Sequence, residues 1–201
     1  MRIKKIAAQC KAQGNAILWD VTDSDGVIKQ WINTAAAAYP VDGMPYLRED
    51  HLPALLSLSN KDIEKMRIEA AAPPETFDLR DAVESEGIAE PAEFSINYLD
   101  RELRPVRVYG VTYFVDEALM SPITAEYKDT ELWLRQTKNG IQYFAVKAGL
   151  MCVGIVMPLV QMQHLINKLG EVVESYPCDP QEAGTSAAEA EDEIDGQEEV
   201  T

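Results

Sequence analysis

Thr22-Asp23-Ser24-Asp25-Gly26 is the run of this 201-residue chain that comes nearest to a ligand-binding signature, a set of oxygen donors around a glycine turn. A calcium loop also needs an acid two residues before Asp23 and a bidentate Glu at its twelfth position, and Val21 and Ile32 stand there. Turn chemistry accounts for the run, because the corresponding stretch Thr137-Lys138-Asn139-Gly140 has no carboxylate. His51 and His164 are each followed by Leu at the start of a helical pattern. Without clustered His, Cys or carboxylate partners, or HExxH spacing, they predict helix-start histidines, and neither a metal nor a cofactor is expected. Cys10, Cys152 and Cys178 are widely spaced and odd in number, which fits neither a disulfide framework nor a CxxC knuckle. With no Gly-rich phosphate loop, GxSxG elbow or Cys/His nucleophile pattern, the chain reads as a non-enzymatic protein.

Two groups remain as binding candidates. Arg2, Lys4, Lys5 and Lys11 place four cations on the first helical segment, with no acid before Asp20, a local footprint suited to phosphate contact with DNA. Met157, Pro158 and Leu159 follow an apolar run and precede an amphipathic one, where an adaptable Met could border a groove for a partner peptide.

The elements that must carry these residues follow from periodicity and punctuation. Ile3, Ile6, Ala7 and Cys10 have helical spacing, and Gly14-Asn15 stops the helix. Extended runs at 16–22 and 27–33 flank Asp25-Gly26, a hairpin signal of the type I′ kind, and a third run at 35–39 leads to Pro40. A short helix at 50–58 and another opened by Ser59 and Asp62 follow. Strands are also expected within 92–99 and 103–114. A helix is expected over 116–126 with an interruption near Pro122, then runs at 132–136, 141–146 and 150–156 around Asn139-Gly140. Leu165, Ile166, Leu169, Val172 and Val173 trace a last helical face. Trp19, Trp31, Trp133 and Tyr143 read as exposed aromatics stacked across the hairpins.

Leu18-Trp19, Gly26, Gln30-Trp31, Met44-Pro45 and His51-Leu52 recur as Leu132-Trp133, Gly140, Gln142-Tyr143, Met157-Pro158 and His164-Leu165, at offsets of 112 to 114 residues. Such an echo predicts an internal repeat. The expected organisation is a first α/β-hairpin unit at 1–67, an acidic linker at 68–91, a second unit at 92–176 and a disordered acidic tail at 177–201. The fold class is α+β, with two similar α-β-β-β-α units and antiparallel hairpins.

Net charge is −16, and nine of the 34 acidic residues lie from Asp179 onward without a Lys or Arg among them. The remaining 25 acids face 18 cations, so the tail supplies more than half of the imbalance. Its Ala, Gly, Ser and Glu cannot bury enough apolar surface to offset ordering entropy. Gln9, Lys11 and Gln13 interrupt any apolar signal segment after the basic start. The apolar stretch Gly149 to Val160 is shorter than the roughly 20 residues of a membrane helix. A cytoplasmic protein with no membrane partner is expected.

Tyr113-Phe114-Val115-Asp116-Glu117-Ala118-Leu119-Met120 and Val153-Gly154-Ile155-Val156-Met157-Pro158-Leu159 resemble the strand-to-helix entry and the closing Met-Pro strand of the last domain of bacterial DNA polymerase sliding clamps. The resemblance falls mainly on residues 105–160. Gln30-Trp31 and Ala38-Tyr39-Pro40 also resemble uncharacterised proteins of bacterial prophages and mobile elements. The clamp resemblance implies a protein partner at Met157, Pro158 and Leu159, DNA along the first helix, and a homo-oligomer if the chain is to encircle DNA. The second helix departs from the clamp pattern, with Asp116, Glu117 and Glu126 where cations would be expected. An acidic inhibitor that mimics DNA on a basic protein is the alternative reading of the charge.

Overall fold

The structure is a computed structural model that describes residues 2–22, 25–74, 77–159 and 166. Helix α1 (Arg2–Gln13) ends at Gly14, whose φ of +70° suits glycine, and feeds strands β1 (Asn15–Thr22), β2 (Ile28–Asn33) and β3 (Ala37–Pro40). A 3-10 turn at Glu49–His51, the short helices α2 (Leu52–Leu55) and α3 (Asn60–Ile63), and strand β4 (Arg67–Ala71) follow. Next come β5 (Gly87–Ile88), β6 (Glu90–Pro91), β7 (Ile96–Tyr98), β8 (Arg101–Val108), β9 (Val111–Asp116) and α4 (Glu117–Thr124). Strands β10 (Glu131–Gln136), β11 (Gln142–Ala148) and β12 (Met151–Val156) complete the set. The molecule is α+β. The last expected helix, the tail, His164 and Cys178 lie outside the described residues, apart from a helical Ile166. Among the described residues no helix is long and apolar enough to cross a membrane.

One eight-stranded sheet runs β4-β1-β2-β3-β12-β11-β10-β5, and a second sheet is built around β8, which pairs with β9 on one side and with β6 and β7 on the other. The halves of the large sheet join where β3 meets β12 antiparallel, Ala38 opposite Ile155 and Ala37 opposite Val156. A single compact unit spans Met1–Gln163, so residues 1–67 and 92–159 share one sheet. The segment expected as an acidic linker at 68–91 contributes most of β4, which pairs parallel with β1, and also β5 and β6. At the free edge of β4, the Glu49 carboxylate accepts the Ala70 N–H at 3.3 Å, which blunts strand addition there.

The two main hairpins turn on glycine, but by another route than type I′. Each loop has five residues, and Gly26 (φ +78°) and Gly140 (φ +83°) take the left-handed conformation, whereas Asn139 does not. In the second loop the Gly140 N–H donates to Thr137 O at 2.9 Å and the Thr137 N–H to Ile141 O at 2.8 Å, a β-turn closed by a glycine. Two-residue turns with positive φ at both central positions occur instead at Leu99-Asp100 and Tyr109-Gly110, in the second sheet.

Equal loop lengths make the two hairpins correspond strand for strand. Trp19 opposite Trp31 in β1–β2 matches Trp133 opposite Ala145 in β10–β11, so Gln30 corresponds to Phe144. Gln142-Tyr143 therefore stands one same-face step away from the place its likeness to Gln30-Trp31 suggests.

Both longer helices lie on one face of the large sheet. Ile6, Ala7 and Cys10 of α1 and Leu119, Met120 and Ile123 of α4 pack with Leu18, Ile32, Tyr39, Phe144 and Val153 in the main core. Asp116 caps α4 through the Ala118 N–H at 2.9 Å. Pro122 sits inside α4 without ending it. A proline there leaves the carbonyl four residues earlier, Ala118 O, without its helical donor, and Gln9 Nε2 of α1 supplies one at 2.8 Å. Replacing Gln9 by Ala should cost about 1 kcal/mol, and less in a Pro122→Ala background where a helix N–H is restored. Urea midpoints of the four proteins measure the difference.

Candidate functional site

The opposite face of the large sheet carries a row of large side chains, because β-strand alternation sends Ile17 and Trp19, Trp31, Tyr143 and Ala145 to the side away from the helices. Trp19, Trp31 and Tyr143, expected to be exposed, are buried at 4%, 2% and 0% exposure. Residues 77–86 cross this face as a strap and cover them. Phe77 is the wedge, with its ring centroid 6.1 Å from Trp19 and 5.0 Å from Tyr143, the latter edge-on. Leu79 packs beside it.

Polar contacts tie the strap down. The Tyr143 hydroxyl accepts the Asp78 N–H at 2.9 Å and lies 3.1 Å from Asp78 O, to which it donates. Arg135, its side chain 2% exposed, donates to Asp78 O at 2.9 Å, Arg80 O at 2.8 Å and Asp81 O at 3.3 Å, and pairs with Glu86 at 2.7 Å. Lys147 also pairs with Glu86, and its ammonium lies 4.5 Å from the centroid of the Trp133 ring. Burial pushes the Glu86 carboxyl up, but hydrogen bonds and charge from Lys147 and Arg135 outweigh it and hold the group below the usual carboxylate range. The Asp81 carboxylate accepts the Cys152 N–H at 2.9 Å. Burial raises the Cys152 thiol to about 11 and the Cys10 thiol, on the buried face of α1, to about 12, so neither is an activated nucleophile.

Alongside the strap runs a groove of about 1060 Å³, bounded by Trp31, Pro40, Phe77, Tyr143 and Met151 and rimmed by charges that include Lys29, Asp42 and Lys138. Trp31 is buried, and its indole N–H has no acceptor among the described residues. A buried donor left unpaired costs about 1–3 kcal/mol, which makes it the outstanding polar feature of this face. A second cavity of about 180 Å³ lies among β8, α4 and β10, walled by Met120 and Leu132 and by an Arg104–Glu117 ion pair. It is smaller than a pocket for a drug-sized ligand.

Family models, curated proteins and solved structures gave no match to this chain.

The four cations of α1 do not form one free stripe. Arg2 bonds Glu126 at 2.7 Å and Val153 O at 3.0 Å, and stacks 5.7 Å from the Tyr127 ring centroid. Lys5 donates to Ser121 O at 3.2 Å. Lys11 pairs with Asp62 at 3.0 Å, where the Ser59 N–H, Lys11 and the Ser59 hydroxyl together lower the carboxyl to about 2. Lys4 is exposed. Arg2, Lys5 and Gln9 thus form the seam between α1 and α4.

Met157, Pro158 and Leu159 are half-buried and stitch the sheets together: the Met157 N–H donates to Ala36 O at 2.8 Å and the Leu159 N–H to Phe114 O at 2.8 Å. The Met157 side chain packs at the edge of the aromatic face. His51 is exposed and its Nδ1 accepts the Arg48 N–H at 3.1 Å, so it caps the 3-10 turn. Among the described residues no three His, Cys, Asp or Glu side chains are grouped as metal ligands. Arg135, Glu86, Lys147 and the strap belong to no sequence motif; the signal that marks them is the alternation of Phe77 and Leu79 with Asp78 and Arg80, which fits an extended segment with one buried side.

Proposed function

We propose that the chain is a non-enzymatic interaction protein that takes an extended segment of a protein partner into the groove on the aromatic sheet face. The observation that carries this is the buried Trp31 indole N–H, which has no acceptor among the described residues, beside a groove with both apolar and charged walls. The N–H is closed to solvent, so a peptide carbonyl becomes its acceptor only as the cover over this face opens, and Pro40, Phe77 and Met151 supply apolar contact. The repeated order of helix, hairpin and third strand, α1-β1-β2-β3 and α4-β10-β11-β12, joined at β3 and β12, supports the reading of a duplicated, clamp-like architecture. A protein partner is favoured over DNA because Arg2, Lys5 and Lys11 are engaged within the chain and net charge is −16. The same charge supports the second reading, an acidic decoy for a basic nucleic-acid-binding protein.

Peptides selected from a display library on the immobilised full chain test the first reading. Selected peptides should bind with weak salt dependence, and Trp31→Phe, which keeps the ring and removes the donor, should weaken binding about five- to tenfold. Equal binding by the Trp31→Phe protein would sink the groove. Steeply salt-dependent capture of basic peptides, unaffected by the substitution, would favour the decoy.

A further inference from the structure

We propose that residues 77–86 are a latch that opens locally, with the rest of the fold intact, and so controls access to the aromatic face. The strap contains neither helix nor strand. Its contacts with the sheet use side chains: Arg135 to three strap carbonyls, Tyr143 to the Asp78 main chain, Asp81 to the Cys152 N–H, and Glu86 to Arg135 and Lys147. Among the described residues, the strap's main-chain to main-chain hydrogen bonds are local, Phe77 N–H to Pro74 O and Glu86 N–H to Val83 O. A segment held this way detaches without breaking a strand ladder, and such segments occupy the low end of the local-stability range.

One side of the strap is free: Asp78, Leu79, Arg80 and Asp81 line the open groove that runs alongside it, so the strap has room to swing away from the sheet. Opening also has a compensating term. Glu86, Arg135 and Lys147 are 8%, 2% and 8% exposed at their side chains when the latch is shut, and all three regain water when it opens. Charges in a buried cluster gain their mutual attraction at a large desolvation cost, so closed and open arrangements lie nearer in free energy than the number of contacts suggests. Glu86 is the catch, because it is the ion-pair partner of both Arg135 and Lys147, and without its carboxylate the closed state buries two cations stripped of that pairing.

The latch does not depend on the identity of any partner, and neither does its test. Cys152 lies under the strap and Cys10 on the buried face of α1, so one molecule reports local and global opening side by side. The full chain is treated with N-ethylmaleimide across a urea series below the unfolding transition, and each thiol is followed by peptide mass spectrometry against its rate in unfolded protein. The latch predicts that Cys152 reacts at least tenfold faster than Cys10, with a much shallower urea dependence, since little surface is exposed in the opening. Glu86→Gln should speed Cys152 about tenfold or more and leave Cys10 unchanged. One shared rate and one shared urea slope for both thiols in the unaltered protein would overturn the proposal, whether or not the variant folds. So would a Cys152 rate untouched by Glu86→Gln in a folded variant.

Discussion

Replacing Phe144 by Ala lowers the free energy of unfolding by about 3–5 kcal/mol. Phe144 is fully buried on the helix-facing side of β11, and its ring meets Tyr113 of β9 edge-on at a centroid distance of 5.6 Å. It therefore packs the large sheet against the second one, and truncation removes apolar burial and an aromatic pair at one point. The surrounding strands are tied by their ladders and cannot collapse into the space. Phe144→Leu, which refills most of the volume, should recover more than half of the loss. Guanidinium unfolding of the three proteins measures both values, and a loss under 1 kcal/mol for the Ala variant would show that the sheets are not coupled there.

The second large effect comes from adding an atom. A Cβ on Gly154 of β12 would lie 2.4 Å from Ile123 Cδ1 and 3.1 Å from its Cγ1, both in the side chain of a fully buried α4 residue. Overpacking of this kind costs about 1–3 kcal/mol. It lies near the join of the two halves, where the Tyr39 hydroxyl of β3 also donates to Leu119 O of α4 at 2.8 Å. Ile123→Val removes the clashing Cδ1, so the Gly154→Ala, Ile123→Val double variant should be more stable than Gly154→Ala alone. Additive losses in that cycle would mean that Ile123 is not what excludes a side chain at 154.

The hairpins and the first helix were legible because their signals are local. Helical spacing over 3–10, extended runs around Asp-Gly and Asn-Gly, and the Ser59–Asp62 capping box all depend on neighbours within a few residues, and the Ser59 N–H donates to Asp62 at 2.9 Å as such a box requires. Strand β4 was not legible: Arg67-Ile68-Glu69-Ala70-Ala71 alternates over only four residues with Ile68 as its one large apolar side chain, and its place is set by β1, 52 positions earlier. Burial of the aromatics was missed for a related reason. A strand face is solvated or covered according to what the rest of the chain lays on it, and the cover came from an acidic, proline-containing stretch that reads as a linker. Three of its acids are engaged in structure: Asp78 pairs with Arg80, Asp81 caps a strand N–H and Glu86 sits between two cations. The α1 cations illustrate the converse. Their spacing reads as a surface stripe, yet α4 lies against that side, and its proline-freed and C-terminal carbonyls draw Gln9 and Lys5 inward.

The central claim is that the aromatic face, with Trp31 at its base, is where a partner segment binds. The chain has three tryptophans, so a proton–nitrogen correlation spectrum should resolve three indole N–H signals, assignable by single Trp→Phe variants. Titrating in a library-selected peptide should move the Trp31 indole signal downfield as it gains an acceptor, together with amides of 77–86 and of Lys29. A Trp31 signal that stays in place while the shifts fall on α1, or on Met157 to Leu159 alone, would contradict the account and move the binding site elsewhere.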